Sequence, residues 1–131
     1  MSQDEFAGSR ILLVEDEATD AEIINAYLKK SKEMFLLDIV NTGKKGLEKI
    51  KDNLYDLILL DYYLPDMTGL EILKKIRSQK IMTRVIILTG ADDREIAVKS
   101  MKLGASDYLI KSAELYKSLP ELILKILKKN N

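Results

Sequence analysis

The sequence predicts an α/β fold, a parallel sheet covered by helices on both faces. Two observations carry this. Short unbroken apolar runs alternate with amphipathic helical periods along the whole chain. Several of those runs end in a polar residue followed at once by turn material, as buried parallel strands do. The clearest is Leu57-Ile58-Leu59-Leu60, closed by Asp61 and then by Tyr62-Tyr63-Leu64-Pro65-Asp66-Met67-Thr68-Gly69.

Taken in order, the first strand spans about Arg10 to Val14 and ends in Glu15-Asp16. Glu17 to Ser31 follows as a helix, with Ala21, Ile24 and Leu28 on one face and Asp20, Lys29 and Lys30 elsewhere, acids early and lysines late. Phe35 to Val40 reads as the second strand. Gly43 to Lys51, with Leu47 and Ile50 at helical spacing, is the second helix. Asp56 to Leu60 is the third strand. Thr68 to Gln79 is the third helix, capped by Thr68 or Asp66, with Leu70, Leu73 and Ile76 inward.

The fourth strand covers Arg84 to Leu88. The helix from Asp92 to Leu103 carries Ile96, Ala97 and Met101 and stops at Gly104. Asp107 to Ile110 is the fifth strand. A last helix opens at Ser118-Leu119-Pro120-Glu121 and runs to Lys129, with Pro120 in its first turn and Leu119, Leu122, Ile123, Ile126 and Leu127 on one stripe.

Five β/α units fit a flavodoxin-like doubly wound fold with strand order 2-1-3-4-5 and right-handed crossovers. That order brings the ends of the first and third strands together. Glu15, Asp16 and Asp61 then meet in one crevice flanked by Thr89 and Lys111, on the edge where open α/β sheets carry their chemistry.

Composition narrows the function. The 131 residues, 47% of them hydrophobic, suit one domain over residues 9–131 behind a polar tail at 1–8; ~two-thirds of the unfolded surface can be buried. Lys plus Arg and Asp plus Glu each number 21, so charge gives no case for a nucleic-acid or membrane surface. There is no histidine and no cysteine, which removes the usual general base, the commonest metal ligand and all thiol chemistry. Any metal must be held by oxygen. Met1 to Ser9 lacks the charged and apolar regions of a secretion signal, and no stretch nears ~20 apolar residues, so a cytoplasmic location is expected.

With these motifs in place, the chain closely resembles the CheY-like receiver domain of two-component response regulators. The likeness spans about Ser9 to Lys129. It rests on Glu15-Asp16, the segment from Asp61 to Gly69, Thr89-Gly90, Gly104-Ala105-Ser106-Asp107-Tyr108 and Lys111, spaced in that order. The resemblance implies that Asp61 accepts a phosphoryl group and that Glu15 and Asp16 help hold Mg²⁺. It implies that Lys111 contacts the phosphoryl group and that Thr89 and Tyr108 form a switch pair. For the metal it suggests Asp16 and Asp61 carboxylates, the Tyr63 backbone carbonyl, and Glu15 acting through water. It also puts Tyr63 beside the acceptor, where a side chain tunes the access of water.

The chemistry is consistent with those roles. A carboxylate can attack a phosphoryl donor and form an acyl phosphate. Clustered carboxylates raise one another's pKa, and a hard dication sharing their oxygens relieves this. Phosphoryl transfer needs positioning and positive charge on the equatorial oxygens more than it needs a base. The module is thus expected to be a switch rather than an enzyme, at most assisting its own phosphorylation and dephosphorylation. Its expected donor is a sensor histidine kinase or a histidine phosphotransfer protein, and its output an unidentified protein partner, with no nucleic acid and no membrane.

Two other readings stand beside it. One is an adaptor that works without phosphorylation. The other is an aspartyl-nucleophile phosphatase of the haloacid-dehalogenase type, which needs a second Asp where Tyr63 stands. Two departures from the receiver pattern are visible. Ser112 replaces the proline that usually follows the lysine in a cis bond, and a non-proline cis bond costs ~2.5 to 4 kcal/mol. Gly90 replaces the commoner alanine beside the threonine, which favours a looser loop.

Overall fold

A computed structural model describes residues 8–129. The strands are β1 (Ser9–Val14), β2 (Phe35–Val40), β3 (Leu57–Asp61), β4 (Arg84–Thr89) and β5 (Asp107–Ile110). They form one parallel sheet in the order β2-β1-β3-β4-β5. The helices α1 (Ala18–Lys30), α2 (Gly43–Asp52), α3 (Gly69–Ser78), α4 (Arg94–Lys102) and α5 (Ala113–Lys128) alternate with them. This is the flavodoxin-like arrangement expected from the sequence.

Alternation along the strands divides the core between the two faces of the sheet. Ile11, Leu13, Leu57 and Leu59 pack with Ile24 of α1 and Leu119 and Ile123 of α5. Leu12, Val14, Ile58 and Leu60 pack instead with Ile50 of α2 and Ile72 and Leu73 of α3. Both sets are buried, which is why β1 and β3 read as continuous apolar runs. Burying each such Leu or Ile contributes about 1.5 to 3 kcal/mol.

Helix ends are set by particular side chains. Thr68 and Glu71 form a capping box at the start of α3. Asp66, the other candidate cap for α3, reaches instead to α2, where its carboxylate accepts from the Gly43 and Lys44 N–H groups at 2.8 and 2.9 Å. The loop after β3 therefore supplies the anion at the amino end of α2. Gly69 is required by close approach: a Cβ there would lie 2.6 Å from the Asp61 carbonyl oxygen. Arg77 donates to the Ile81 carbonyl after α3 at 2.8 Å and, at the far end of α4, to the Leu103 and Gly104 carbonyls at 3.0 Å each. It thus satisfies orphan acceptors where Gly104, at φ 84°, ends the helix.

One boundary corrects the sequence reading. The last helix begins at Ala113, not Ser118, because the Ser112 hydroxyl accepts from the Leu115 N–H at 3.0 Å and caps it. Pro120 consequently lies inside α5, where a proline removes one helical hydrogen bond and costs ~3 kcal/mol or more. Burial of Tyr116, Leu119, Ile123 and Ile126 offsets that cost. Met101, expected on the packed face of α4, is 48% exposed, and Ser100 is the buried residue there. No cis peptide occurs among the described residues, so Lys111-Ser112 is trans.

At the amino-terminal edge of the sheet, Asp38 accepts from the Tyr55 hydroxyl at 2.6 Å and from Arg10 at 3.2 Å. The Arg10 guanidinium also lies over the Tyr55 ring, 4.9 Å from its centre.

Candidate functional site

The strand order reverses between β1 and β3, and the crevice at their carboxyl ends collects the site. Val14 pairs with Leu60, so the residues that follow, Glu15 and Asp61, emerge side by side. The Glu15 N–H donates to the Val40 carbonyl, Tyr62 N–H to Leu88, and Lys111 N–H to Thr89. These bonds hold the ends of β1, β3, β4 and β5 level. Glu15, Asp61 and Thr89 are each at most 3% exposed, and Asp16 is open to solvent.

Glu15, Asp16 and Asp61 bring carboxylate oxygens within 4.8 Å of one another. Lys111 joins them. Its Nζ lies 2.8 Å from Glu15 Oε1, 3.2 Å from Asp20 Oδ2 and 3.4 Å from Asp61 Oδ1. Glu15 Oε2 accepts from the Glu17 N–H as α1 begins.

Burial pushes the Glu15 carboxyl up to about 7; the Lys111 ammonium opposes this, and the Asp61 charge adds to it. Asp61 is raised for the same first reason, with Lys111 pulling it down. Burial presses Lys111 the other way, but Glu15, Asp61 and Asp20 together more than reverse that and hold it above its ordinary value. Even with Lys111 present, acid outweighs base in the crevice. Glu15 Oε1 is buried and faces the Lys111 ammonium at 2.8 Å. An all-oxygen donor set with acid in excess of base fits a hard divalent cation.

Thr89 and Tyr108 meet through the loop between β4 and α4. The Thr89 hydroxyl oxygen accepts from the Ala91 N–H at 3.2 Å. The Tyr108 hydroxyl donates to the Ala91 carbonyl at 3.0 Å and accepts from the Asp93 N–H at 3.2 Å. Gly90 has open space where a Cβ would stand, so no close contact requires glycine there. Tyr63 lies on the loop after β3 and is 55% exposed, its ring set edge-on against Tyr62 at 4.7 Å between centroids.

Asp20 is the participant that sequence reasoning missed. In the sequence it reads as an early helix acid, suited to the α1 dipole. The available signal was its place in the first turn of the helix that follows Glu15-Asp16 and so starts from the same sheet edge.

Fold and site together define a receiver-type switch module, and comparison with known proteins agrees. The response regulator receiver domain family matches residues 11–122, and the chain belongs to that family. Phosphorylation-dependent signalling is the function of its members.

The chain is 41% identical over 114 residues to the response regulator ArlR of Staphylococcus saprophyticus, covering 87% of this chain and 50% of that one. It is 40% identical over 102 residues to the cell cycle transcriptional regulator CtrA of Caulobacter vibrioides, covering 78% and 43%. It thus spans about half the length of these relatives.

Among solved structures, a CheY-like receiver domain protein from Methanospirillum hungatei aligns with TM-score 0.83 and 30% identity over 92% of this chain and 94% of that one. The response regulator TrrA from Thermotoga maritima, solved in complex with Mg²⁺-BeF, aligns with TM-score 0.78 and 30% identity over 90% and 98%. No helix among the described residues is long and apolar enough to cross a membrane.

Proposed function

We propose that Asp61 takes up a phosphoryl group from a phosphohistidine of a sensor kinase or a histidine phosphotransfer protein, and that the change in charge redirects a partner-binding surface. The observation that carries this reading is the setting of Asp61: 3% exposed, 3.4 Å from the Lys111 ammonium and within 4.8 Å of two further acids. An Asp61 oxygen forms the new bond to phosphorus as the bond from phosphorus to the donor atom breaks, and the donor keeps that electron pair. Lys111 supplies a fixed positive charge for the phosphoryl oxygens. Asp16 and Asp61 carboxylates and the Tyr63 carbonyl would hold Mg²⁺, with Glu15 acting through water. When bound, the ion supplies the second positive charge that transfer requires.

Thr89 carries a hydroxyl able to donate to a phosphoryl oxygen. Doing so changes what it offers the Ala91 N–H, and Tyr108 holds the other end of that residue. A local change in charge thus reaches the loop that leads into α4. The balance of 21 basic and 21 acidic residues favours a protein rather than a nucleic acid as the direct partner of this segment.

Intact-mass measurement after incubation with acetyl phosphate and Mg²⁺ tests the reading. One phosphoryl group is expected on the parent and none on Asp61→Asn. Undiminished modification of that variant, or modification mapped to Ser or Thr, overturns it.

A further inference from the structure

Lys111 has three N–H donors and three carboxylates around it, and these contacts are not equivalent. Those to Glu15 and Asp61 are charge contacts at 2.8 and 3.4 Å, whereas the one to Asp20 Oδ2, at 3.2 Å, is an aligned hydrogen bond. Glu15 and Asp61 leave the sheet at the ends of β1 and β3, while Asp20 comes from the first turn of α1. Lys111 is therefore tied across from the sheet to a helix. Asp20 lies on the wall of an open cleft of about 610 Å³ that also includes Gly90, Lys111, Ser112 and Tyr116. Tyr116, 5% exposed, closes one side of this cleft.

We propose that Asp20 is a positioning residue for Lys111. By accepting one N–H it fixes the rotation of the ammonium, so that the remaining donors stay directed at the oxygens around Asp61. A lysine head group is otherwise a freely turning point charge on a flexible stem. With Asp20 in place, that freedom is removed before the phosphoryl group arrives, and transfer need not wait for the ammonium to be oriented. Glu15 and Asp61 meet the ammonium from the sheet, and Asp20 alone holds it from the α1 side. This role rests on the proposed phosphorylation of Asp61.

The test compares Asp20→Ala with Asp20→Asn in the full chain. Both remove the charge, and only Asn keeps an acceptor oxygen. Initial phosphorylation by acetyl phosphate at saturating Mg²⁺ is expected to slow about tenfold in the Ala variant and to stay within about threefold of the parent in the Asn variant. The ¹⁵N-detected ammonium signal of Lys111 should be sharp in the parent and in Asn, and exchange-broadened in Ala. Mg²⁺ affinity should change little in either, since Asp20 lies outside the Glu15, Asp16 and Asp61 cluster.

Equal slowing of both variants assigns the effect to charge alone and overturns the positioning role, as does an Ala variant as fast as the parent or faster. A parent that takes up no phosphoryl group overturns the receiver reading and this role with it. A phosphorylated parent with two matched variants overturns only the role of Asp20.

Discussion

Thr89 and Tyr108 never need to touch to be coupled, because each holds one end of Ala91: the threonine oxygen receives its N–H, and the tyrosine hydroxyl donates to its carbonyl. Tyr108→Phe removes that donor and also the acceptor for the Asp93 N–H at the cap of α4. The loop from Ala91 to Asp93 should then open more readily. Amide exchange at Asp93 is expected to quicken about fivefold or more, as loss of a hydrogen bond worth about 1 kcal/mol implies. Unchanged protection at Asp93 would refute the coupling.

Thr89→Ala addresses the same coupling from the other side. It should leave uptake of the phosphoryl group measurable while suppressing the phosphorylation-dependent NMR shifts around Tyr108. Full-sized shifts at Tyr108 in this variant would mean that the signal travels by a route other than the hydroxyl.

Cation binding should depend on pH through Glu15. Its carboxyl is raised to about 7, so a proton competes for the crevice below that value, and full charge is available above it. Mg²⁺ affinity is expected to fall as pH drops through about 7, by at most about tenfold per unit. Glu15→Gln should bind more weakly and show a flatter profile. Titration across this range decides the point; equal slopes in the two proteins would remove Glu15 as the cause.

Tyr63 is expected to lengthen the phosphorylated state. Hydrolysis needs water in line with the scissile bond, and a large ring on the loop beside Asp61 restricts its approach more than a small amide does. Single-turnover dephosphorylation at equal Mg²⁺ should be faster in Tyr63→Asn. Equal rates, or a slower variant, would leave the exposed ring without this role.

Stability should respond to pH at the opposite edge of the sheet. The Tyr55 hydroxyl, and secondarily Arg10, holds the Asp38 carboxyl below its ordinary 3.8. That contribution is complete above 3.8 and is lost as pH falls through the lower folded value. Burial, then Asp38, pushes Tyr55 from 10.0 up to about 12, so its share is present below 10.0 and fades as pH rises toward 12. Asp38→Asn should cost about 1 kcal/mol at neutral pH, the partial exposure of the pair reducing the usual value for a charged hydrogen bond. Urea midpoints of parent and variant should converge in acid; a gap that persists there would assign the loss to packing.

The parts of this molecule that were legible in its sequence are those where one pattern had one physical meaning. Leu57 to Leu60 is apolar without a break because both faces of β3 are covered, and the turn after Asp61 marks the strand end. From five such units, the sheet and the meeting of Glu15, Asp16, Asp61 and Lys111 followed. Other features were ambiguous for identifiable reasons. Pro120 suits a first turn, so it drew the start of α5 toward itself, while the weaker cap at Ser112 went unused. Asp66 and Thr68 are equally good caps, and only the fold separates the helix each one serves. Met101 keeps the helical period of a packed face, but a period does not say which side of α4 meets the sheet. Asp20 looked like a dipole partner because its true partner, Lys111, lies ninety-one residues away.

Asp66 gives the stretch from Asp61 to Asp66 the properties of a measured tether. One end carries the candidate acceptor, and the other is clasped by the first two amides of α2. Lengthening or shortening that stretch would shift the acceptor or release the clasp, so the two ends cannot be altered independently. A chimera that takes α2 from a relative inherits a socket shaped for that relative's loop, and the loop and the helix must be exchanged as one piece.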